Sequence, residues 1–234
     1  MSEKTEKTRC GIVAIAGRPN AGKSTLLNAL VGSKLAIVTP KAQTTRSPLR
    51  GIQVSGGSQI IYVDTPGIFQ APQKFEQAMV ESAWGQAADA DAVLQVVDAS
   101  RKKFDDDLAI AERLQGLKCR KILVLNKVDK VNKPALLDLT LHLNQSGVFS
   151  EVFMVSAEKG DGVEELGNWL GEEMPEGPWL YPEDQMSDAP LRMLAAEITR
   201  ERLFLRLREE LPYALTVQTE SWEEQKNGSV KINQ

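Results

Sequence analysis

The first place where this 234-residue chain could do chemistry is one octapeptide, Gly17-Arg18-Pro19-Asn20-Ala21-Gly22-Lys23-Ser24. It fits the pattern G-x-x-x-x-G-K-[ST], with a predicted strand before it and a predicted helix after it, the context in which that pattern grips phosphate. Glycines let the backbone curl so that several N–H groups point inward at phosphate oxygens. The N-terminus of the following helix adds partial positive charge. Lys23 supplies a point charge for the β- and γ-phosphates of a nucleotide, and the Ser24 hydroxyl one ligand for Mg²⁺. Arg18, Pro19, Asn20, Ala21 and Thr25 complete the predicted cradle.

Three further segments fit the same nucleotide. Asp64-Thr65-Pro66-Gly67 follows the predicted strand Gln59–Val63, forty residues beyond the phosphate loop. An aspartate there suits Mg²⁺, and the Gly67 N–H suits a γ-phosphate whose departure would release the loop. Thr44-Thr45 sits in a polar stretch from Thr39 to Arg46, and Thr45 is the favoured threonine to complete the Mg²⁺ shell in the triphosphate state. Asn126-Lys127-Val128-Asp129 follows the predicted strand Lys121–Leu125 and selects the base. A carboxylate accepts two hydrogen bonds from guanine's N1–H and 2-amino group, whereas adenine offers neither donor. A site built on such bonds rejects the wrong partner by factors of roughly 10⁴ to 10⁵. Asn126 braces loop and base, the Lys127 stem covers the purine face, and Ser156-Ala157 brings a backbone N–H to guanine O6. Lys23, Thr45 and Gly67 are the residues expected nearest the reacting phosphate.

Those segments require an α/β scaffold. Ile12–Ala16, Gln59–Val63, Val93–Val97, Lys121–Leu125 and Val152–Val155 are short apolar runs that suit strands buried on both faces. Helical stretches at Lys23–Val31, Phe75–Gln86, Asp105–Gln115, Pro134–Asn144 and Val163–Leu170 alternate with them. The alternation predicts a mostly parallel central sheet flanked by helices. Leu49–Val54 adds a strand in an antiparallel hairpin with Gln59–Val63. Pro175, Gly177, Pro178, Pro182 and Pro190 then mark a linker or a domain-crossing segment. Beyond it, a helix is predicted from Leu191 to Leu211, ended by Pro212, then a strand at Ala214–Thr219, a turn at Asn227-Gly228 and a strand at Ser229–Ile232. Arg200, Arg202, Arg206 and Arg208 interleave with Glu197, Glu201, Glu209 and Glu210, which reads as a solvated helix with i,i+4 pairs.

Composition narrows the classes. Hydrophobic residues make up 42% and charged residues 26%, enough for a sizeable core and against wholesale disorder. A net charge of −4 argues against a surface that is one nucleic-acid stripe. No apolar run approaches the ~20 residues that span a bilayer, and the polar opening Met1 to Arg9 does not resemble a secretory signal, so a cytoplasmic location is expected. Two cysteines, Cys10 and Cys119, make no disulfide framework, and a single histidine, His142, excludes paired-histidine metal sites.

Four motifs in this order resemble a translation-factor-related P-loop GTPase domain, over about Thr8 to Leu170. Ile68 stands where many small GTPases place a glutamine that orients the attacking water. An aliphatic side chain gives no such hydrogen bond, so slow intrinsic hydrolysis is expected. The replacement resembles a branch of GTPases that work on ribosomes and RNA. Some of its members use a P-loop asparagine, here Asn20, to hold K⁺.

Lys41-Ala42-Gln43-Thr44-Thr45-Arg46, Tyr62-Val63-Asp64-Thr65-Pro66-Gly67-Ile68 and Arg208-Glu209-Glu210-Leu211-Pro212-Tyr213 resemble the Era family of bacterial GTPases. That resemblance implies GTP and GDP with Mg²⁺ as ligands, and 16S rRNA and the 30S ribosomal subunit as partners. It implies peripheral association with the inner membrane in some members, no DNA partner, and a C-terminal KH RNA-binding domain. The implied division is a tail at 1–8, a GTPase domain at 9–172, a linker at 173–190 and a partial α+β KH-like unit at 191–234. A KH domain clamps RNA with a G-x-x-G loop, and no two glycines here stand three residues apart. The expectation is therefore a KH-type unit that stops before its RNA loop. Two other readings remain open at this point, a related GTPase serving tRNA or another ribosomal step, and a nucleotide-binding fragment with little turnover.

Overall fold

The computed structural model describes residues 8–39, 49–67, 74–145, 147–207 and 215–234. In chain order the elements are β1 (Arg9–Ala16), α1 (Lys23–Val31), β2 (Leu49–Ser55), β3 (Ser58–Asp64), α2 (Lys74–Ala88), β4 (Ala92–Asp98), α3 (Asp105–Leu114), β5 (Arg120–Asn126), α4 (Lys133–Leu143), β6 (Glu151–Val155), α5 (Val163–Glu173), α6 (Leu191–Arg206), β7 (Ser221–Glu224) and β8 (Val230–Asn233). The first six strands form one sheet in the order β2-β3-β1-β4-β5-β6. Only β2 runs antiparallel, paired with β3 as the hairpin reading expected.

The apolar runs became strands because helices cover both faces. Every residue of β3 and β4 is buried. On one face Leu26, Leu27 and Leu30 of α1 and Leu166 and Leu170 of α5 pack on Val13, Ile15, Ile60 and Leu94. On the other, Trp84, Ile110, Leu114, Leu136 and Leu143 from α2, α3 and α4 pack on Ala14, Val93, Leu123 and Leu125. Each fully buried Leu or Ile contributes about 1.5–3 kcal/mol relative to exposure. Parallel register sets Ile15 beside Asp64 and Asp98 beside Asn126, so the carboxyl ends of β1, β3, β4 and β5 share one edge. Chain order reverses at β1, which lies between β3 and β4. A ligand crevice opens at such a switch point.

The proline-rich segment does not hang between units; it is strapped to the sheet edge. Its backbone meets β1 where Cys10 N–H donates to the Pro175 carbonyl at 3.0 Å, and β2 where Ile52 N–H donates to that of Met186 at 2.8 Å. Gln59, wholly buried in β3, accepts from the Leu180 and Tyr181 N–H groups through Oε1 (2.9 and 3.0 Å) and donates to the Tyr181 carbonyl at 2.8 Å. Prolines cannot build a ladder, so a buried amide side chain does that work.

Three expectations beyond the strap need correction. The long helix stops at Arg206, and Leu207 is extended (φ −76°, ψ 153°) rather than helical. A proline disfavours helix at the residue before it and clashes with the carbonyl four residues back, so Pro212 does not set this end, which the Leu207 N–H closes on the Leu203 carbonyl at 2.9 Å. The strand expected at Ala214–Thr219 is at Ser221–Glu224 instead. The turn at Gln225–Ser229 pairs Glu224 with Val230, and pairing counts outward from the turn. Arg200 and Glu201 are not on a solvated face, since each is only 3% exposed. Arg200 makes two bonds to Glu197, at 2.9 and 2.7 Å. Glu201 accepts from the Val38 N–H at 2.9 Å and from Lys34 Nζ at 2.5 Å, so that face of α6 packs on the sheet domain. Arg202 and Arg206 remain exposed, while the run Arg208–Tyr213 lies outside the described residues.

Candidate functional site

The phosphate loop runs from the end of β1 to the first turn of α1. Gly22 is its tightest point, at φ 97°, where a Cβ would also collide with the Asn126 side chain. Asn20 adopts the left-handed conformation as well, at φ 62°, which asparagine tolerates better than most residues. Lys23 is 6% exposed and donates to the Arg18 carbonyl at 3.1 Å. Burial pulls its ammonium below the usual lysine range, Asp64 opposes that, and the charge of Arg101 adds to it. Thr25 sits half-buried in the first turn of α1.

Asp64, fully buried at the end of β3, accepts a 2.7 Å hydrogen bond from Ser24 Oγ. The two residues assigned to Mg²⁺ from sequence thus meet, although forty positions separate them. Thr65 donates to the Ile15 carbonyl at 2.8 Å, which ties the Asp64–Gly67 turn to β1. Pro66 is buried, and Gly67 lies against Pro19 so closely that a Cβ would overlap its ring. Thr45 and Ile68 lie outside the described residues.

At the end of β5, Asn126 is 2% exposed and joins three loops. Its Nδ2 donates to the Ala21 carbonyl at 2.9 Å, and its Oδ1 accepts from Lys127 N–H at 2.8 Å and Ala157 N–H at 3.0 Å. Of the Ser156-Ala157 pair assigned from sequence to guanine O6, the Ala157 N–H thus braces Asn126, and the Ser156 N–H donates to the Asp161 carbonyl at 2.9 Å. Lys127, at φ 64°, reaches back to the phosphate loop and donates to the Asn20 carbonyl at 2.9 Å. Val128 opens the short helical turn that carries Asp129. Asp129 accepts from Ser156 Oγ at 2.8 Å and pairs with Lys159 Nζ at 3.6 Å. The Ser156 bond, then the lysine charges, hold its carboxyl below the usual carboxylate range. The motif residues that the structure describes thus converge on one edge of the sheet.

Sequence reasoning missed a second set of residues. Asp98, at the end of β4, accepts from Lys127 Nζ at 2.6 Å. Burial pushes its carboxyl up, but bonds from Lys127 and Ser100 outweigh that and leave it low. Arg101 donates to the Pro19 carbonyl at 2.7 Å. Arg18, expected at the phosphates, turns its side chain to α3 and meets Asp106 at 2.7 Å and Asp107 at 3.7 Å. Asp107 is 1% exposed, and burial raises its carboxyl to about 6 against the pull of Arg18 and Arg101. The legible signal was positional, because Asp98 follows the run Val93–Val97 just as Asp64 and Asn126 follow theirs.

A family model described as 50S ribosome-binding GTPase matches residues 12–127. GTPase Era of Dinoroseobacter shibae is 55% identical over 237 residues, covering 100% of this chain and 77% of that protein. GTPase Era of Brucella suis biovar 1 is 54% identical over 228 residues, covering 97% and 73%. Two solved structures superpose well. One is Era in complex with MgGDPNP and nucleotides 1506–1542 of 16S ribosomal RNA, with a TM-score of 0.88 at 37% identity, covering 94% of this chain and 75% of that one. The other is a Tyr-to-Ala variant of Aquifex aeolicus Era bound to GDP and aluminium fluoride, with a TM-score of 0.89 at 37% identity, covering 96% and 77%. Fold and site together define a P-loop GTPase. The chain belongs to the Era family of GTPases. No helix among the described residues is long and apolar enough to cross a membrane.

Proposed function

We propose that this chain is a guanine-nucleotide switch that binds GTP and GDP with Mg²⁺, hydrolyses GTP slowly, and serves 16S rRNA processing and 30S subunit assembly. The observation that carries this reading is Asn126, which bonds the phosphate loop, the Lys127 loop and the Ala157 loop at once. One molecule bearing both phosphates and a purine would fill the crevice so framed. The roles follow from position. N–H groups of Gly17–Ser24 and the Lys23 ammonium hold the phosphates. Asp129 takes the guanine N1–H and 2-amino group, the Lys127 stem covers the ring, and O6 shares the Ala157 N–H with Asn126.

Ser24 and Asp64 offer hard oxygen ligands of the kind Mg²⁺ prefers, with Thr45 as the third protein ligand in the triphosphate state. Bound there, Mg²⁺ would neutralise charge on the β- and γ-phosphates. The Gly67 N–H meets the γ-phosphate, and its loss on hydrolysis releases the Asp64–Gly67 turn. Asn20 beside the phosphates is the K⁺ ligand of this reading. Residues 9–172 form the GTPase domain, 173–190 its strap, and 191–234 the first part of a KH-type unit without a G-x-x-G loop; 16S rRNA and the 30S subunit are the partners implied for the switch as a whole. The protein works in the cytoplasm, with peripheral contact at the inner membrane and no DNA partner.

The test is a titration of fluorescent GTP with Mg²⁺, competed by GTP, GDP and ATP. Guanine nucleotides should compete and ATP should not. Asp129→Asn should lose on the order of 100-fold in GTP affinity and favour xanthosine nucleotides; equal competition by ATP overturns the base assignment. Phosphate release compared in K⁺ and in Na⁺ tests Asn20, since equal rates sink the K⁺ role.

A further inference from the structure

Asp98 belongs to none of the segments read from the sequence, yet it stands at the centre of the site. It is 7% exposed. One oxygen accepts from the Ser100 N–H at 3.0 Å and from Ser100 Oγ at 2.6 Å. The other draws in two cations, Lys127 Nζ at 2.6 Å and Arg101 Nε at 3.8 Å. Each cation has a second bond, and those bonds end on consecutive carbonyls of the phosphate loop. Arg101 donates to Pro19 O at 2.7 Å and Lys127 to Asn20 O at 2.9 Å. A peptide unit is planar and trans, so its N–H points away from its C=O. Holding those two carbonyls fixes the planes of the Pro19–Asn20 and Asn20–Ala21 peptides. The residue between them, Asn20, is the one non-glycine of the phosphate loop with positive φ among the described residues.

We propose that Asp98 is a positioning residue for the nucleotide site, acting through Lys127 and Arg101 to hold the phosphate loop and the purine-covering lysine in register. The proposal rests on the guanine-nucleotide reading above. Without the carboxylate, two buried-side cations would repel each other, and Lys127 would have one anchor in place of two. Both nucleotide states use the same loop and the same lysine, so GTP and GDP suffer together.

The experiment is a coupling cycle on the full chain, read by titration of fluorescent GTP and GDP. Asp98→Asn keeps the shape and removes the charge. It should weaken both nucleotides by about tenfold, as expected for a lost charge-assisted bond, and leave the GTP-to-GDP affinity ratio unchanged. In a Lys127→Met, Arg101→Met background the same substitution should cause no further loss, because the two groups it acts through are gone. A purely structural role would subtract equally in both backgrounds, and that result overturns the proposal. So does an Asp98→Asn protein that binds within about twofold of the parent. If circular dichroism shows that Asp98→Asn does not fold, Arg101→Met alone decides, since Arg101 meets Asp98 and the Pro19 carbonyl and is given no place against the nucleotide. A tenfold loss at an unchanged melting temperature supports the anchor, and parental affinity overturns it. Failure of the guanine reading itself looks different, since the parent chain would then bind ATP as well as GTP. Asp98→Asn would in that case still weaken both if the anchor holds.

Discussion

Polar groups are buried at two places in this molecule, and they are treated differently. Beside the phosphate loop, Lys23 at the start of α1 and Asp107 in the first turn of α3 are charged groups that burial disfavours, each shifted toward its neutral form. At the far end of β3, Gln59 is just as buried, yet it closes three hydrogen bonds with the strap. Of these two, the Lys23 cation is the one that a nucleotide's phosphates would relieve, whereas Asp107 has Arg18 at 3.7 Å. The second region spends its polar atoms on its own chain.

The sharpest way to break this contrast is Lys23→Met. Nucleotide affinity should fall on the order of 100-fold or more. The nucleotide-free protein should melt no lower than the parent, since an ammonium whose pKa is lowered by burial opposes folding at neutral pH. A lower melting temperature would mean that Lys23 holds the fold together. Gln59→Leu should do the reverse. It leaves two N–H groups and a carbonyl of the strap without partners, at a cost of about 1–3 kcal/mol in chemical denaturation, with nucleotide affinity unchanged. An affinity change there would place the strap in the site's energetics.

Asp107→Asn sharpens the first half of the comparison through pH. A carboxyl raised to about 6 in the folded state favours folding at low pH and loses that contribution as pH rises through 6. The variant should therefore be more stable than the parent by about 1–2 kcal/mol above pH 6, with the difference vanishing toward pH 4. A gap that is flat with pH would show that Asp107 is fully compensated by Arg18. The smallest effect belongs to the C-terminal hairpin, where β8 is exposed throughout. Ile232→Ser should change thermal stability by no more than about 0.5 kcal/mol, and a larger loss would mean that this hairpin carries packing the structure does not show.

The legibility of these regions in the sequence differs for a physical reason. The inner strands of the main sheet lie under helices on both faces and read as apolar runs, so β1, β3, β4 and β5 were found within a few residues; edge strand β6, expected to be buried on both faces, has only Val155 buried. The site motifs follow those runs directly, so finding the strand located the loop. In the C-terminal unit the signals are weaker. Helix α6 stops short of Pro212 by more than the nearest turn, and β7 was misplaced because pairing is counted from the turn at Asn227-Gly228 rather than from local β propensity.

What the sequence determined by itself was the identity of the groups at the sheet edge, because phosphate, Mg²⁺ and guanine each demand particular atoms in a particular order along the chain. Only the tertiary structure decided how those groups are held. That Asp98 restrains Lys127, that Arg18 faces α3, that Gln59 fastens the strap and that Glu201 reaches Val38 are contacts between residues 29 to 163 positions apart. No local pattern encodes such contacts. They exist because parallel register brings the strand ends to one edge, and because burying a polar atom is tolerable only where some distant part of the chain arrives to meet it.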